Sequence, residues 1–195
     1  MLNYEEITTI VENHFIKHSN IERLNHSKRV VDMALKLNAI HNLHLDEELV
    51  KITAILHDYA KVYDEKLVDL VVKEYGSNHP LLKVKSIHHA MVGDTVIKEE
   101  LGINNLELLD AVKYHSTGKP NMSSLCKIIF LADYIEMGRT FKEAEIIRNV
   151  AFTNLDEAIV KMTKNSIDHI KSKGYAVYPL TFETYNYYKK ENDLC

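Results

Sequence analysis

Eleven histidines are spread over 195 residues. Neutral imidazole is the commonest metal ligand in proteins, so their placement decides what chemistry is open to the chain. His26 precedes Val30, Met33, Ala34 and Leu37 at helical spacing and should point inward. His57, with Asp58 beside it, follows Val50, Ala54 and Ile55, and His115 follows Leu108, Ala111 and Val112. The pair His88-His89 requires a choice. His89 shares a stripe with Val92, Gly93, Val96 and Ile97, whereas His88 has only Met91 and Thr95, so His89 is taken as the inward residue. His88 is then a donor behind it or an exposed neighbour. Asp133 follows Cys126, Ile129 and Phe130 in the most apolar stretch of the chain. A carboxylate buried there alone would be costly, and buried charges are normally paired or bound to a metal. Inward histidines and aspartates can satisfy one another through a shared divalent cation.

Taken singly, each of these has a plainer explanation. A lone histidine on an apolar face is more often a hydrogen-bonded core residue, and Asp133 could pair with a lysine or arginine. The set shifts the balance, with six ligand-type groups facing inward from five helical segments. The other histidines lack this pattern. His14 and His18 lie four apart, a spacing that could clip a metal, but their flank is polar. They are read as surface residues, as are His41, His44, His79 and His169.

The elements that must carry these groups read as helices throughout, with apolar residues recurring at three and four positions. The pattern predicts helices over about Ile21–Asn42, from Asp46 to the His57-Asp58 pair, Asp64–Tyr75, from Pro80 to before Gly102 with early irregularity, and Asn105–His115. Ser116 to Pro120 reads as a loop. A nearly all-apolar helix over Ser123–Glu136 should be central, and helices around Lys142–Val150 and Asn154–Lys171 follow. In the Tyr-rich tail, Val177-Tyr178 is extended or leads into a last short helix. The expectation is an all-α, single compact bundle over 1–195, with a metal-binding core at about 20–140 and C-terminal helices with a tail at about 141–195.

Composition narrows the function classes. Six Gly and three Pro are too few for an all-β fold of many hairpins. A net charge of −4 argues against a binder of nucleic-acid polymers or anionic membranes, so any polyanion must be small and held by local cations. No apolar run reaches a membrane span of about 18 residues. The acidic start lacks an apolar export segment, and Cys126 and Cys195 do not make a disulfide framework, so a reducing cytoplasm is expected. Walker, GxGxxG, HExxH and CxxC patterns are absent.

The order His26, His57-Asp58, Asp133 resembles the HD-domain superfamily of metal-dependent phosphohydrolases. His57-Asp58-Tyr59-Ala60-Lys61 is similar to that superfamily's HDxAK motif. Tyr114 to Met122 resembles a YHTTGxxxM segment, with Ser116 in place of Thr, and Lys127 to Arg139 resembles KxxxxADYIExxR. Together they resemble the YqeK type, the symmetrical bis(5'-nucleosyl)-tetraphosphatases of that superfamily.

The resemblance implies a two-metal site with His26, His57, Asp58, His89, His115 and Asp133 as ligands and Asp58 as the bridging carboxylate. It favours iron, with manganese, cobalt or zinc also suited to such a donor set. It implies a dinucleoside polyphosphate substrate, best matched by diadenosine tetraphosphate, cut into two nucleoside diphosphates by metal-activated water. Lys61, three residues past Asp58, would address a phosphate oxygen, although a solvated lysine needs no such role. Arg139 would clamp a phosphate, or simply sit as a cation at a helix C-terminus. The Ser116-Thr117-Gly118 loop would cradle phosphate or, through Thr117, protonate the leaving group. Two other readings stay open: an HD phosphohydrolase acting on a mononucleotide or deoxynucleotide, and a non-catalytic metal- or nucleotide-binding sensor. The sequence also leaves a homodimer open.

Overall fold

The computed structural model describes residues 3–63 and 65–192. Asp64 and Cys195, which entered the sequence reading, lie outside the described residues. Eleven helices and no strand occur among the described residues, so the chain is all-α as expected. The helices are α1 (Tyr4–Lys17), α2 (Ile21–Ile40), α3 (Glu47–Leu56), α4 (Glu65–Tyr75), α5 (His88–Met91), α6 (Gly93–Leu101), α7 (Leu106–Tyr114), α8 (Ser124–Ile135), α9 (Lys142–Ala151), α10 (Leu155–Ser172) and α11 (Pro179–Asn192).

The centre is α8. Leu125, Cys126, Ile128 to Ala132 and Ile135 are all buried. A helix apolar all round must be covered on every side, and α2, α3, α7, α9 and α10 pack against it. The Ser123 side chain accepts from the Cys126 N–H and starts it. One cluster of buried apolar side chains runs from Ile7 in α1 to Tyr188 in α11.

Three segments differ from the sequence reading. Helix α1 is additional: Asn3 and Glu6 form a reciprocal capping box, and Ile7, Val11 and Phe15 are buried on α3 and α2. The stretch from Pro80 is broken more deeply than expected, into two 3-10 turns (Pro80–Lys83 and Lys85–Ile87), α5 and α6. The tail forms the full helix α11, which straps the loop after α7. The Thr184 hydroxyl reaches the Thr117 carbonyl at 3.1 Å, and the Met122 N–H donates to the Tyr188 hydroxyl at 2.8 Å.

Gly118 is what lets the strap close. Its φ is +63°, and a Cβ there would stand 2.6 Å from Thr184 Cγ2 and 3.2 Å from Phe130 Cζ. Gly102 has φ +65° with nothing within 4 Å of such a Cβ. Gly118→Ala is therefore expected to cost about 2–4 kcal/mol, through left-handed strain plus overpacking. Gly102→Ala should cost only about 1–2 kcal/mol, through strain alone. Urea midpoints of the two variants check this, and equal losses would remove the role given to the α11 strap.

Candidate metal centre

Two donors sit just past helix ends. His57 follows α3 and His115 follows α7, and each folds its Nδ1–H back onto the carbonyl three residues earlier, Ala54 or Val112, at 2.7 Å. Each bond satisfies a last-turn carbonyl that the helix leaves open. It also fixes the tautomer, so Nε2 carries the free lone pair. His26, in α2, reaches the same state by another route. Its Nδ1–H donates to Glu136 Oε1 at 3.2 Å, and its Nε2 faces the other way. Past α3, a 3-10 turn (Tyr59–Val62) follows Asp58. With three residues per turn, Asp58 and Lys61 lie on one side of it, and Lys61 Nζ stands 3.6 Å from Asp58 Oδ1.

The donors form two groups that share Asp58: His26, His57, Asp58 and Asp133 in one, and Asp58, His89 and His115 in the other. Asp58 divides its oxygens between them. Oδ2 lies 3.3 Å from His57 Nε2 and 3.8 Å from His26 Nε2. Oδ1 lies 3.1 Å from His89 Nε2 and 3.5 Å from His115 Nε2. His26 Nε2 is 2.9 Å from Asp133 Oδ1, and His89 Nε2 is 3.2 Å from His115 Nε2. Two donors bound at right angles to one ion, each at about 2.1 Å, would lie about 3 Å apart. His26 Nε2, His57 Nε2 and Asp58 Oδ1 are buried without a well-formed hydrogen bond. Buried polar atoms are seldom left so, and the donor chemistry suits divalent cations. These residues fit such ions.

Electrostatics agrees. Burial alone would push the Asp58 carboxyl up, but His57, His115 and His89 hold it well below the usual carboxylate range. Burial likewise opposes ionisation of Asp133, and His26 and His57 override it, keeping the group anionic. Burial pulls the His57 imidazole down, yet Asp58 and Asp133 outweigh that and raise it. The same pull acts on any cation placed among these carboxylates. Burial, with Lys61 and His115 adding to it against Asp58, lowers His89 to about 4 and leaves it a neutral donor.

The structure thus brings together all six predicted ligands. Lys61 lies beside the second group, with its Nζ 3.4 Å from His89 Nε2. Arg139 lies beside the first, its Nη2 3.4 Å from Asp133 Oδ1. Thr117 is placed differently: it is buried, and its hydroxyl donates to the Gly118 carbonyl. His88 is neither exposed nor a donor behind His89, since its Nε2 pairs with the Leu81 carbonyl. Three of the residues read as surface are engaged as well. His14 stacks on Tyr59 at 4.0 Å, His41 meets the Ala151 carbonyl, and His79 caps the turn at Leu81.

Three residues of the centre were given no role by the sequence, although Glu136 lies in the KxxxxADYIExxR stretch. Arg23 Nη1 lies 2.6 Å from Asp58 Oδ2. Arg29 Nε lies 2.6 Å from Glu136 Oε2, and Glu136 holds His26 from behind. Arg23 and Arg29 stand three residues either side of His26, a spacing that places all three on one face of α2. Asp133 is the one donor with appreciable exposure, 22% of its side chain. The partly exposed cations Arg23, Lys61 and Arg139 rim the buried donors.

Residues 23–138 match the family model described as HD domain. The chain is 36% identical to a symmetrical bis(5'-nucleosyl)-tetraphosphatase of Halalkalibacterium halodurans, over 95% of this chain and 96% of the relative. It is 32% identical to the protein of the same description from Bacillus subtilis, over 95% and 97%. Among solved structures, a predicted HD superfamily hydrolase involved in NAD metabolism from Clostridium acetobutylicum superposes with a TM-score of 0.87. That match has 32% identity and covers 98% of this chain and 99% of the other.

Glu136 gives this geometry a test. Burial would raise its carboxyl, but Arg29, the Gly138 N–H and His26 lower it, so it stays anionic behind the imidazole. A carboxylate on Nδ1–H raises the basicity of Nε2, and loss of such partners typically weakens metal binding about 10–100-fold. Glu136→Gln is expected to weaken binding of manganese by about that factor, measured by calorimetric titration of the metal-stripped protein. Unchanged affinity would deny Glu136 any hold on His26.

Proposed function

The chain belongs to the HD domain family, and on that premise we propose that it is a metal-dependent hydrolase cutting dinucleoside tetraphosphates symmetrically into two nucleoside diphosphates. Diadenosine tetraphosphate is the best candidate. The single observation that carries the reading is the split of Asp58 between two groups of imidazole and carboxylate donors. The full-length similarity to relatives so described gives it the substrate class.

We assign His26, His57, Asp58 and Asp133 to one divalent ion, and Asp58, His89 and His115 to a second. Mixed imidazole and carboxylate donors suit iron, manganese, cobalt or zinc better than calcium, and the family resemblance favours iron. Bound ions would supply a lowered pKa for water and neutralisation of the phosphate chain. The other tasks fall to side chains. Arg23, Lys61 and Arg139 bind phosphate oxygens from the partly open side. Arg can do so through two parallel N–H groups, and Lys61 as a point charge. We assign to Lys61, whose Nζ lies beside Asp58 and His89, the stabilisation of charge that grows on the leaving oxygen. Thr117 acts through the loop it braces, its hydroxyl being spent on Gly118. Burial of the donors excludes bulk water and strengthens each of these interactions. The continuous core from Ile7 to Tyr188 supports reading the chain as one domain. No helix among the described residues is long and apolar enough to cross a membrane.

Product analysis tests the reading. The metal-loaded protein should convert diadenosine tetraphosphate to ADP alone. ATP plus AMP would reject symmetrical cleavage, and phosphate release from mononucleotides alone would favour the mononucleotide hydrolase. Bound metal with no turnover would favour a sensor. Asp58→Ala should abolish turnover and lower metal content while the helical circular-dichroism signal survives. Unchanged activity would end the metal-site reading.

A further inference from the structure

The central helix α8 ends at Ile135, and residues 136–139 turn sharply behind it. The Arg139 N–H closes this turn on the Glu136 carbonyl at 2.9 Å. Its two ends serve different parts of the centre. Glu136 is 1% exposed and holds His26 Nδ1, while Arg139 reaches Asp133 Oδ1. Met137, between them, is left at the surface, 63% exposed. Gly138 lets the turn lie against Arg29, because a Cβ there would stand 2.5 Å from Arg29 Nε. Arg29 thus secures the Glu136 carboxylate, but it does not hold the backbone of the turn.

A side chain from another helix does that. Arg148, half-buried in α9, donates from Nε to the Ile135 carbonyl at 2.6 Å. Its Nη2 donates to the Glu136 and Arg139 carbonyls, each at 2.9 Å. The acceptors are therefore the last residue of α8 and both ends of the turn. Carbonyls at a helix C-terminus lack partners within the helix. A planar guanidinium can meet several of them at fixed spacing, whereas an ammonium acts as a point charge. Arg148 forms no ion pair among the described residues, so no carboxylate draws it elsewhere. Ala144 and Ala151, four before it and three after, are buried on the same face, and these small side chains let α9 approach α8. Capping α8 would use the Ile135 and Glu136 carbonyls. The bond to the Arg139 carbonyl lies beyond the helix end and fixes the exit of the turn.

We propose that Arg148 is a positioning residue: by fixing both ends of the turn 136–139, it sets the Glu136 carboxylate behind His26 and the Arg139 guanidinium beside Asp133. The first task bears on metal binding alone. The second rests on the proposed function, in which Arg139 binds phosphate.

A double-mutant cycle on manganese affinity tests the first task, read by calorimetric titration of the metal-stripped protein. Arg148→Lys keeps the charge and loses the fork. It should weaken manganese binding by about tenfold, the lower end of the loss seen when a partner behind a metal ligand is disturbed. In the Glu136→Gln background the same substitution should cost less than about twofold, because residues that act through one another are not additive. An equal loss in both backgrounds would make Arg148 a general brace of the fold and overturn the proposal, as would unchanged affinity in Arg148→Lys. Arg148→Gln repeats the cycle should Arg148→Lys fail to fold, as judged by its helical circular-dichroism signal. The second task is read in KM for diadenosine tetraphosphate at saturating manganese. Arg148→Lys should raise KM by about threefold or more in the wild type, with kcat falling less, and should leave it unchanged in Arg139→Ala. A rise of the same size in both backgrounds overturns the link to Arg139. Failure of the proposed function looks different: the wild type then makes no ADP from the dinucleoside, while the manganese cycle still decides the role of Arg148.

Discussion

A carboxylate taken fully out of water needs positive charge or hydrogen bonds on nearly every side, and Asp58 is such a group, at 1% exposure. Much of this fold can be understood as the supply of that surround. Helix α2 brings Arg23 and His26, the turn after α3 brings His57 and Lys61, α5 brings His89, and the end of α7 brings His115. Helix α8 brings Asp133 as a second anion, so the centre gathers negative charge faster than the imidazoles can cancel it. Isolated from cations, such a cluster would shift its protonation to relieve the strain. The neighbouring imidazoles hold both carboxyls low, so the anions persist, and the raised His57 reflects the same pull on positive charge.

A second constraint is that imidazoles can offer lone pairs to a shared point only if the opposite nitrogens are engaged. His57 and His115 solve this in one way, because each stands immediately past the end of a helix and turns its ring back on a last-turn carbonyl. The helix end needs a donor and the ring needs an acceptor, so one bond serves stability and site at once. His26 lies inside a helix, where its own carbonyls are taken, and it needs a carboxylate from elsewhere. Glu136, at the C-terminal edge of α8, fills that place and in turn requires Arg29. Glu136 thus links the stability of the α2–α8 contact to the state of a donor atom.

The helices and the inward histidines were legible because both are written in apolar spacing at three and four residues. The Ser123–Glu136 segment, apolar all round, announced its central place, and the stripe rule picked out His89, which faces Asp58, but not the burial of His88. The exceptions have physical causes. Residues 80–91 break into short turns because His79 and His88 engage the backbone around Leu81, a tertiary arrangement with no periodic signature. His14 and His41 meet partners more than forty residues away, which local spacing does not show. Thr117 has the residue type for phosphate chemistry, yet its hydroxyl is claimed by Gly118, a local bond that spacing does not reveal. Arg23 and Arg29 are the counterpart. A stripe rule built on apolar residues passes over arginines, although both flank His26 on its own face.

The charge balance at the centre explains how a chain of net charge −4 can hold a polyanion. Beyond about 8 Å, physiological salt screens most of the overall charge, so only the nearest groups count. There, the carboxylates of Asp58, Asp133 and Glu136 face the cations Arg23, Arg29, Lys61 and Arg139, one positive charge in excess. Each of those cations already leans on a carboxylate, so its attraction for a phosphate is partly spent. A phosphate chain with a negative charge on every unit would find little net pull from side chains alone. Two divalent ions would reverse that, engaging the carboxylates and freeing Arg23, Lys61 and Arg139 to turn toward the substrate. Metal binding and substrate affinity are then coupled, because an ion that takes up a carboxylate releases the cation that a phosphate needs.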